Sequence, residues 1–278
     1  MAQSKQQIQG ILAQVGARPR HRFGQNFMID QNLVRRIAEA GELSPGELVL
    51  EVGPGTGTLT EELLARNVEV LAVEIDHDLA SGLRARFATH QGFRLVEGDV
   101  LSGKHELNPR VLEALAGRPA FKLVANLPYN VASPLVIELL LAGCRLLAFT
   151  VQREVADRLR AGAGEDAYGP LSVIARRLGQ VEVLRPLPPQ AFWPAPKVES
   201  ALVRIRQTEP VTPDARAFGR FVHGVFSYRR KTLRKALVES GHDAGAVLAA
   251  TGYDGARRPE SFTPEEFAAL FAAARGRG

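Results

Sequence analysis

The sequence predicts an α/β fold: a mostly parallel sheet with helices on both faces, followed by a small all-helical region. Three observations carry this. Short apolar runs recur at 48–52, 69–73, 93–96, 122–125 and 146–151, and helical patterns at 57–66, 77–90 and 134–142 lie among them. Strand–helix alternation at this spacing is the signature of βαβ units, whose crossovers force neighbouring strands to run parallel. Two later strands, 181–184 and 201–206, have a proline-rich loop between them instead of a helix, which leaves one of them free to run antiparallel. Beyond the polar, proline-bearing stretch 207–214 the pattern is helical only, at 214–223, 229–240, 244–250 and 264–274. The last of these opens with Thr263 as cap, Pro264 at the first helical position and Glu266 three residues after the cap. The expected organisation is therefore an N-terminal arm over 1–29, a ligand-binding α/β domain over 30–207 and a helical domain over 208–278.

Composition narrows the function classes. Apolar residues are 45% and charged residues 23% of the 278, an ordinary globular balance that argues against disorder or a fibrous chain. The single cysteine, Cys144, excludes an intrachain disulfide and a cysteine metal cluster, and it sits in an apolar stretch as a small hydrophobe. The six histidines lack a ligand spacing, so no catalytic metal is expected. No uninterrupted apolar run reaches the ~18 residues of a membrane span. The net charge of +5 is mild, so the placement of basic residues matters more than their sum. The arm carries Lys5, Arg18, Arg20 and Arg22 with no acid and no apolar signal core, and reads as a basic arm of a cytoplasmic protein, not a cleaved address.

The first candidate site is Glu51-Val52-Gly53-Pro54-Gly55-Thr56-Gly57, between a strand and a helix. Glycines permit a sharp turn and close backbone approach to a ligand. The spacing is neither the dinucleotide fingerprint nor a phosphate-binding P-loop. The next two strands end in Glu74 and Asp99. A carboxylate at the C-terminal edge of such a sheet, where ligands of open α/β folds bind, can accept both hydroxyls of a ribose, and a second can accept a hydrogen bond from the exocyclic amine of adenine. Each acid alone is also what an ordinary solvated strand end presents; three successive strand ends with suitable groups over one crevice are a stronger signal.

The fourth strand leads into Asn126-Leu127-Pro128-Tyr129-Asn130. The exocyclic amine of a purine is a poor nucleophile because its lone pair is delocalised into the ring. If the Asn126 side-chain carbonyl and the Leu127 backbone carbonyl accept its two hydrogens, the nitrogen can become tetrahedral and direct that lone pair at an electrophile. Pro128 fixes the local φ and so aims the carbonyl, and Tyr129 offers a face on which an unstacked base can lie.

These motifs, in this order and together with Phe23-Gly24-Gln25-Asn26-Phe27, resemble the ribosomal RNA adenine dimethyltransferases, and the resemblance covers nearly the whole chain from about Arg20. Two further segments, Phe192-Trp193-Pro194-Ala195-Pro196-Lys197-Val198 and Phe226-Ser227-Tyr228-Arg229-Arg230-Lys231-Thr232-Leu233, are similar to the branch that acts on 16S rRNA. The resemblance implies a Rossmann-like class I methyltransferase sheet, S-adenosyl-L-methionine as cofactor, and dimethylation at N6 of two adjacent adenosines near the 3′ end of 16S rRNA, within a small ribosomal subunit or its precursor. No obligate protein partner is evident, and a monomer is expected. The resemblance also implies that Asn26, Met28, Gly53, Glu74, Asp99 and Asn126 hold the cofactor, and that Asn126, Leu127, Pro128, Tyr129 and Phe192 form the catalytic set, with Tyr129 and Phe192 sandwiching the target adenine. Met28 stands where the family usually has leucine, and Thr150 and Arg153 where it often has methionine and lysine. Trp193 reads equally as a base platform or as packing.

The alternative within the family is a 23S rRNA adenine methyltransferase of the antibiotic-resistance type, which the 226–233 segment and the longer C-terminal region disfavour. A mitochondrial transcription-factor branch lacks support from a transit peptide, and a nicotinamide oxidoreductase is disfavoured by the glycine spacing. The RNA surface is expected at Arg229, Arg230, Lys231 and Arg234: seven basic residues and no acid lie between Asp214 and Glu239, and one helix over 229–240 would align them in two rows.

Overall fold

The computed structural model describes residues 3–103, 106–118, 120–208 and 211–276. In chain order the N-terminal half runs α1 (Lys5–Gln14), β1 (Phe27–Met28), α2 (Gln31–Ala40), β2 (Leu48–Val52), α3 (Thr58–Leu64), β3 (Glu69–Glu74), α4 (His77–Arg86), β4 (Phe93–Glu97), α5 (Pro109–Leu115), β5 (Lys122–Asn126) and α6 (Ala132–Leu141). It continues with β6 (Leu146–Gln152), α7 (Arg153–Arg160), α8 (Pro170–Leu178), β7 (Gly179–Leu187), β8 (Phe192–Trp193), β9 (Ser200–Gln207), α9 (Ala215–Phe226), α10 (Leu233–Glu239), α11 (Ala244–Thr251) and α12 (Pro264–Arg275).

Seven strands form one sheet in the order β4-β3-β2-β5-β6-β9-β7. The first five pair in parallel, and β9 runs antiparallel to β6, which resolves the choice that the helix-free connection left open. The apolar runs are continuous because the central strands are covered on both faces: all of β2 and all of β6 except Gln152 are buried. Parallel pairing sends the C-terminal ends of β4, β3, β2, β5 and β6 to one edge of the sheet.

The chain divides into two units, Met1–Ala156 with Glu182–Arg206, and Asp157–Val181 with Gln207–Gly278. Residues 157–181 thus group with the helical region, not with the α/β domain in which the sequence places them. Helix α8 explains this: it buries Leu171, Val173, Ile174, Ala175 and Leu178 and packs on α9 and α12. The second unit has its own aromatic core, with Phe226 stacked on Phe267 at 5.2 Å and the buried Tyr168 hydroxyl donating to the Phe262 carbonyl at 2.8 Å.

The N-terminal arm is a folded part of the first unit. A capping box starts α1: the Ser4 hydroxyl accepts from Gln7 N–H, and the Gln7 side chain accepts from Ser4 N–H at 2.7 Å. Ile8 and Leu12 are buried with Ala17, Phe27 and Leu79, and Val15 packs so closely on α4 that a Cβ at Gly82 would meet it at 2.8 Å. Beyond α1, Arg20 bridges Asp76 at 2.9 Å and Asp78 at 2.7 Å, and Gln25 Nε2 donates to Asp76 at 3.0 Å. The arm then enters as β1, paired antiparallel with β8 in the register Phe27↔Trp193 and Met28↔Phe192. Trp193 packs on Phe27, with ring centroids 6.3 Å apart, and Lys5 lies over its indole.

Because Ile8 is fully buried, Ile8→Ala should destabilise the protein by about 2 kcal/mol or more, read as a lower denaturant midpoint. An unchanged midpoint would mean that α1 is not part of the folded unit.

Candidate active site

A cavity of about 360 Å³ opens at the C-terminal edge of the parallel strands, within the first unit. Its floor is the β2–α3 loop, where Gly53, Gly55 and Gly57 have φ of +68°, +61° and +82°. Side chains rarely adopt that region, and there is little room for one: a Cβ at Gly53 would meet Pro128 at 3.0 Å, and at Gly55 it would meet the Phe27 ring at 3.0 Å. The glycines let the β2 exit, the β5 exit and the arm converge around one space. Asn26, Met28, Gly53, Glu74, Asp99, Asn126 and Pro128 all line it.

Glu74 ends β3 and is 3% exposed. Its carboxylate accepts Gly55 N–H at 3.0 Å and Asp76 N–H at 2.9 Å, which ties it to the glycine loop. Burial outweighs those bonds and pushes its pKa up to about 7. Glu51, on β2 beneath it, is 1% exposed, accepts the Thr60 hydroxyl at 2.6 Å and is pushed up to about 8, by burial first and by the neighbouring Glu74 charge. Both acids hold protons in the folded protein where the unfolded chain has released them, so their contribution to stability falls as the pH rises from 4.5 towards 8. Asp99, after β4, is exposed, and one of its oxygens accepts Leu101 N–H at 3.0 Å.

Asn126 ends β5, and both ends of its carboxamide are engaged. Nδ2 donates to the Asn26 carbonyl at 2.8 Å, and Oδ1 accepts the Thr150 hydroxyl at 2.5 Å. One lone pair of Oδ1 is left over. The cavity therefore combines an apolar wall, two acids at adjacent strand exits and an aimed carboxamide. It can enclose a cationic, ribose-bearing ligand beside a polarising acceptor, and these residues fit S-adenosylmethionine.

Two expected roles, those of Phe192 and Tyr129, meet a different geometry. Phe192 is 2% exposed in the main core with Met28 and Leu187, because β8 turns it inward, and it does not line the cavity. The Leu127 side chain is buried, which is compatible with the role given to its backbone carbonyl. Tyr129 is half-buried, with its hydroxyl 2.6 Å from Ser200 Oγ, and also lies off the cavity lining.

In the second unit, helix α10 begins at Leu233 with Thr232 as cap, so Arg229, Arg230 and Lys231 lie in the preceding turn and the two helical rows expected over 229–240 do not form. Thr232 caps it with extended backbone, its hydroxyl accepting Lys235 N–H at 3.5 Å. Arg229, Arg230 and Arg234 are exposed, whereas Lys231 pairs with Glu239 at 2.9 Å.

Sequence reasoning missed Ile75, 42% exposed beside Glu74 on the cavity wall, where it offers an apolar face. Its place between two acids at a strand exit was the available signal. The Arg20–Asp76 clasp and the Thr150–Asn126 bond join residues 56 and 24 positions apart and have no local signature.

The fold and this cavity define a class I methyltransferase. The model of the family described as ribosomal RNA adenine dimethylase matches residues 16–274. Curated relatives named "Ribosomal RNA small subunit methyltransferase A" include one from Moorella thermoacetica, 39% identical with 94% of each chain covered. Another, from Magnetococcus marinus, is 41% identical, with 95% of this chain and 94% of that one covered. Among solved structures, the 23S rRNA methyltransferase ErmE is 28% identical with a TM-score of 0.63, covering 90% of this chain and 99% of that one. A dimethyladenosine transferase from Plasmodium falciparum shares the fold, with a TM-score of 0.68 at 21% identity over 88% of this chain and 95% of that one. The chain belongs to the ribosomal RNA adenine dimethylase family; it is an rRNA adenine methyltransferase, and the family's methyl donor is S-adenosylmethionine.

If ionised Glu74 accepts the cofactor's hydroxyls, binding must release its proton. Affinity for S-adenosylmethionine, measured by calorimetry, should then rise with pH through about 7, approaching tenfold per unit on the acid side. Glu74→Gln should weaken binding and reduce that slope. A pH-independent affinity in the native protein would remove Glu74 from the ligand.

Proposed function

We propose that this protein transfers methyl groups to N6 of two adjacent adenosines near the 3′ end of 16S rRNA, two per adenosine, acting as a cytoplasmic monomer on the small ribosomal subunit or its precursor. The observation that carries this is the Asn126 carboxamide, held on both sides at the edge of a cavity with a glycine floor and acidic strand exits. The choice of 16S over 23S rRNA is supported by relatives near 40% identity over almost all of both chains, against 28% for the 23S rRNA methyltransferase.

When bound, the cofactor supplies an electrophilic methyl on a positively charged sulfur. Glu74 takes its ribose, Asp99 its adenine amine, and Asn26, Met28 and Gly53 its remaining contacts. The protein's work on the substrate is positioning and polarisation. Asn126 Oδ1 and the Leu127 carbonyl accept the two N6 hydrogens, which localises the nitrogen lone pair. The Pro128 ring, packed on Gly53, fixes the turn that aims that carbonyl. A strong base is not needed, because the nitrogen becomes acidic only after it has gained the methyl and can then lose a proton to water. Tyr129 provides a face for the target base; stacking by Phe192 requires that its ring leave the core. Arg229, Arg230 and Arg234 meet RNA phosphates, with Lys231 joining at the expense of its pair with Glu239.

Asn126→Ala should lower turnover by about a hundredfold or more while S-adenosylmethionine still binds, and near-native turnover would discard the polarising role. Arg229→Gln with Arg230→Gln should weaken RNA binding and make its salt dependence shallower by about 1.5 to 2 in log–log slope; an unaltered slope would move the RNA surface elsewhere. Mass spectrometry of nucleosides in small-subunit RNA, from cells with and without the gene, tests the substrate: N6,N6-dimethyladenosine should disappear from that RNA, and its persistence there, or a loss confined to 23S rRNA, would contradict the proposal.

A further inference from the structure

We infer that Thr150 is a positioning residue for methyl transfer: its hydroxyl holds the Asn126 carboxamide from the sheet and takes one lone pair of Oδ1, so that the other is the one that meets the target amine. The inference rests on the proposed role of Asn126. An asparagine side chain is nearly symmetric in shape, and rotation by half a turn exchanges an acceptor for a donor. A donor at that place would repel the N6 hydrogens and undo the polarisation. Two bonds hold the carboxamide, and they come from different parts of the first unit. One is to the backbone carbonyl of Asn26, in the arm just ahead of the two-residue strand β1. The other is from Thr150 on β6, in the middle of the sheet, directly opposite Asn126 in the parallel β5–β6 register.

Thr150 is fully buried. It is held from the other side by the β9 ladder, where it pairs with Leu202. The Asn26 carbonyl, an acceptor only, selects the orientation: reversing the amide would set Oδ1 against it, whereas the Thr150 hydroxyl, able to donate or accept, meets Oδ1 as a donor once that orientation is set. Thr150, anchored in the sheet, then holds the carboxamide in place. Its bond also occupies one lone pair of Oδ1, leaving a single direction from which the substrate amine can be received. The site thus reads its amine through a carboxamide that is itself held from the sheet.

Thr150→Val keeps the shape and the β-branching but loses the donor; Thr150→Ser keeps the donor. Methyl transfer to small ribosomal subunits lacking the modification should show kcat reduced about three- to tenfold in Thr150→Val, the loss of one neutral hydrogen bond, with KM for RNA, affinity for S-adenosylmethionine and melting temperature near native, and with kcat restored in Thr150→Ser. In an Asn126→Ala background the Val substitution should add no further loss. Unchanged kcat in Thr150→Val overturns the inference, as does an equal loss in Val and Ser or a full additional loss on top of Asn126→Ala. The side-chain amide resonances of Asn126, followed by NMR without substrate, separate this from the activity itself: they should shift or broaden in Thr150→Val and not in Thr150→Ser even if those subunits prove not to be the substrate, and identical resonances in all three proteins overturn it.

Discussion

Parallel pairing of five strands is the constraint on which the site depends. It sends the exits of β4, β3, β2, β5 and β6 to one edge, so each chemical group lies there because its strand stops there. Glu74 and Asn126 are the last residues of β3 and β5, Gly53 follows directly on β2, and Asp99 is the second residue after β4. None needs a long-range contact of its own to reach the cavity. What remains to be specified is how close the exits come and how the side chains are turned, and glycines at the β2 exit and paired hydrogen bonds at the β5 exit do this.

The same economy explains the buried acids. Two carboxyls under a cavity are costly when ionised, and the shifts at Glu51 and Glu74 report that cost. A ligand carrying hydroxyl donors and positive charge relieves it. The arm, clasped to Asp76 two residues beyond Glu74, is tied to the same strand exit.

Much of this was legible in the sequence. The strands were visible because buried parallel strands are continuous apolar runs, and the glycine loop, Glu74, Asp99 and Asn126 because each follows such a run. Other features were hidden for physical reasons. The start of α10 is marked by Thr232 as cap, and the basic residues 229–231 before it fit a helix or a turn equally well. The burial of Phe192 follows from a two-residue pairing with Phe27 and Met28, far earlier in the chain, and such short strands carry no periodicity. Residues 157–181 join the helical unit through packing by α8, whose amphipathic face fits either neighbour in sequence. The Thr150–Asn126 bond is a register effect, invisible until β5 and β6 are placed side by side.

The central claim is that a carboxamide at the β5 exit accepts the purine amine next to the methyl donor. The most direct measurement is a crystal structure of the protein with S-adenosylhomocysteine and an adenosine-bearing RNA fragment. The account predicts adenine N6 within about 2.7–3.2 Å of both Asn126 Oδ1 and the Leu127 carbonyl, on the open side of the carboxamide. An adenine bound in the cleft with its N6 turned away from Asn126, or a cofactor lying elsewhere than over the glycine loop, would contradict it.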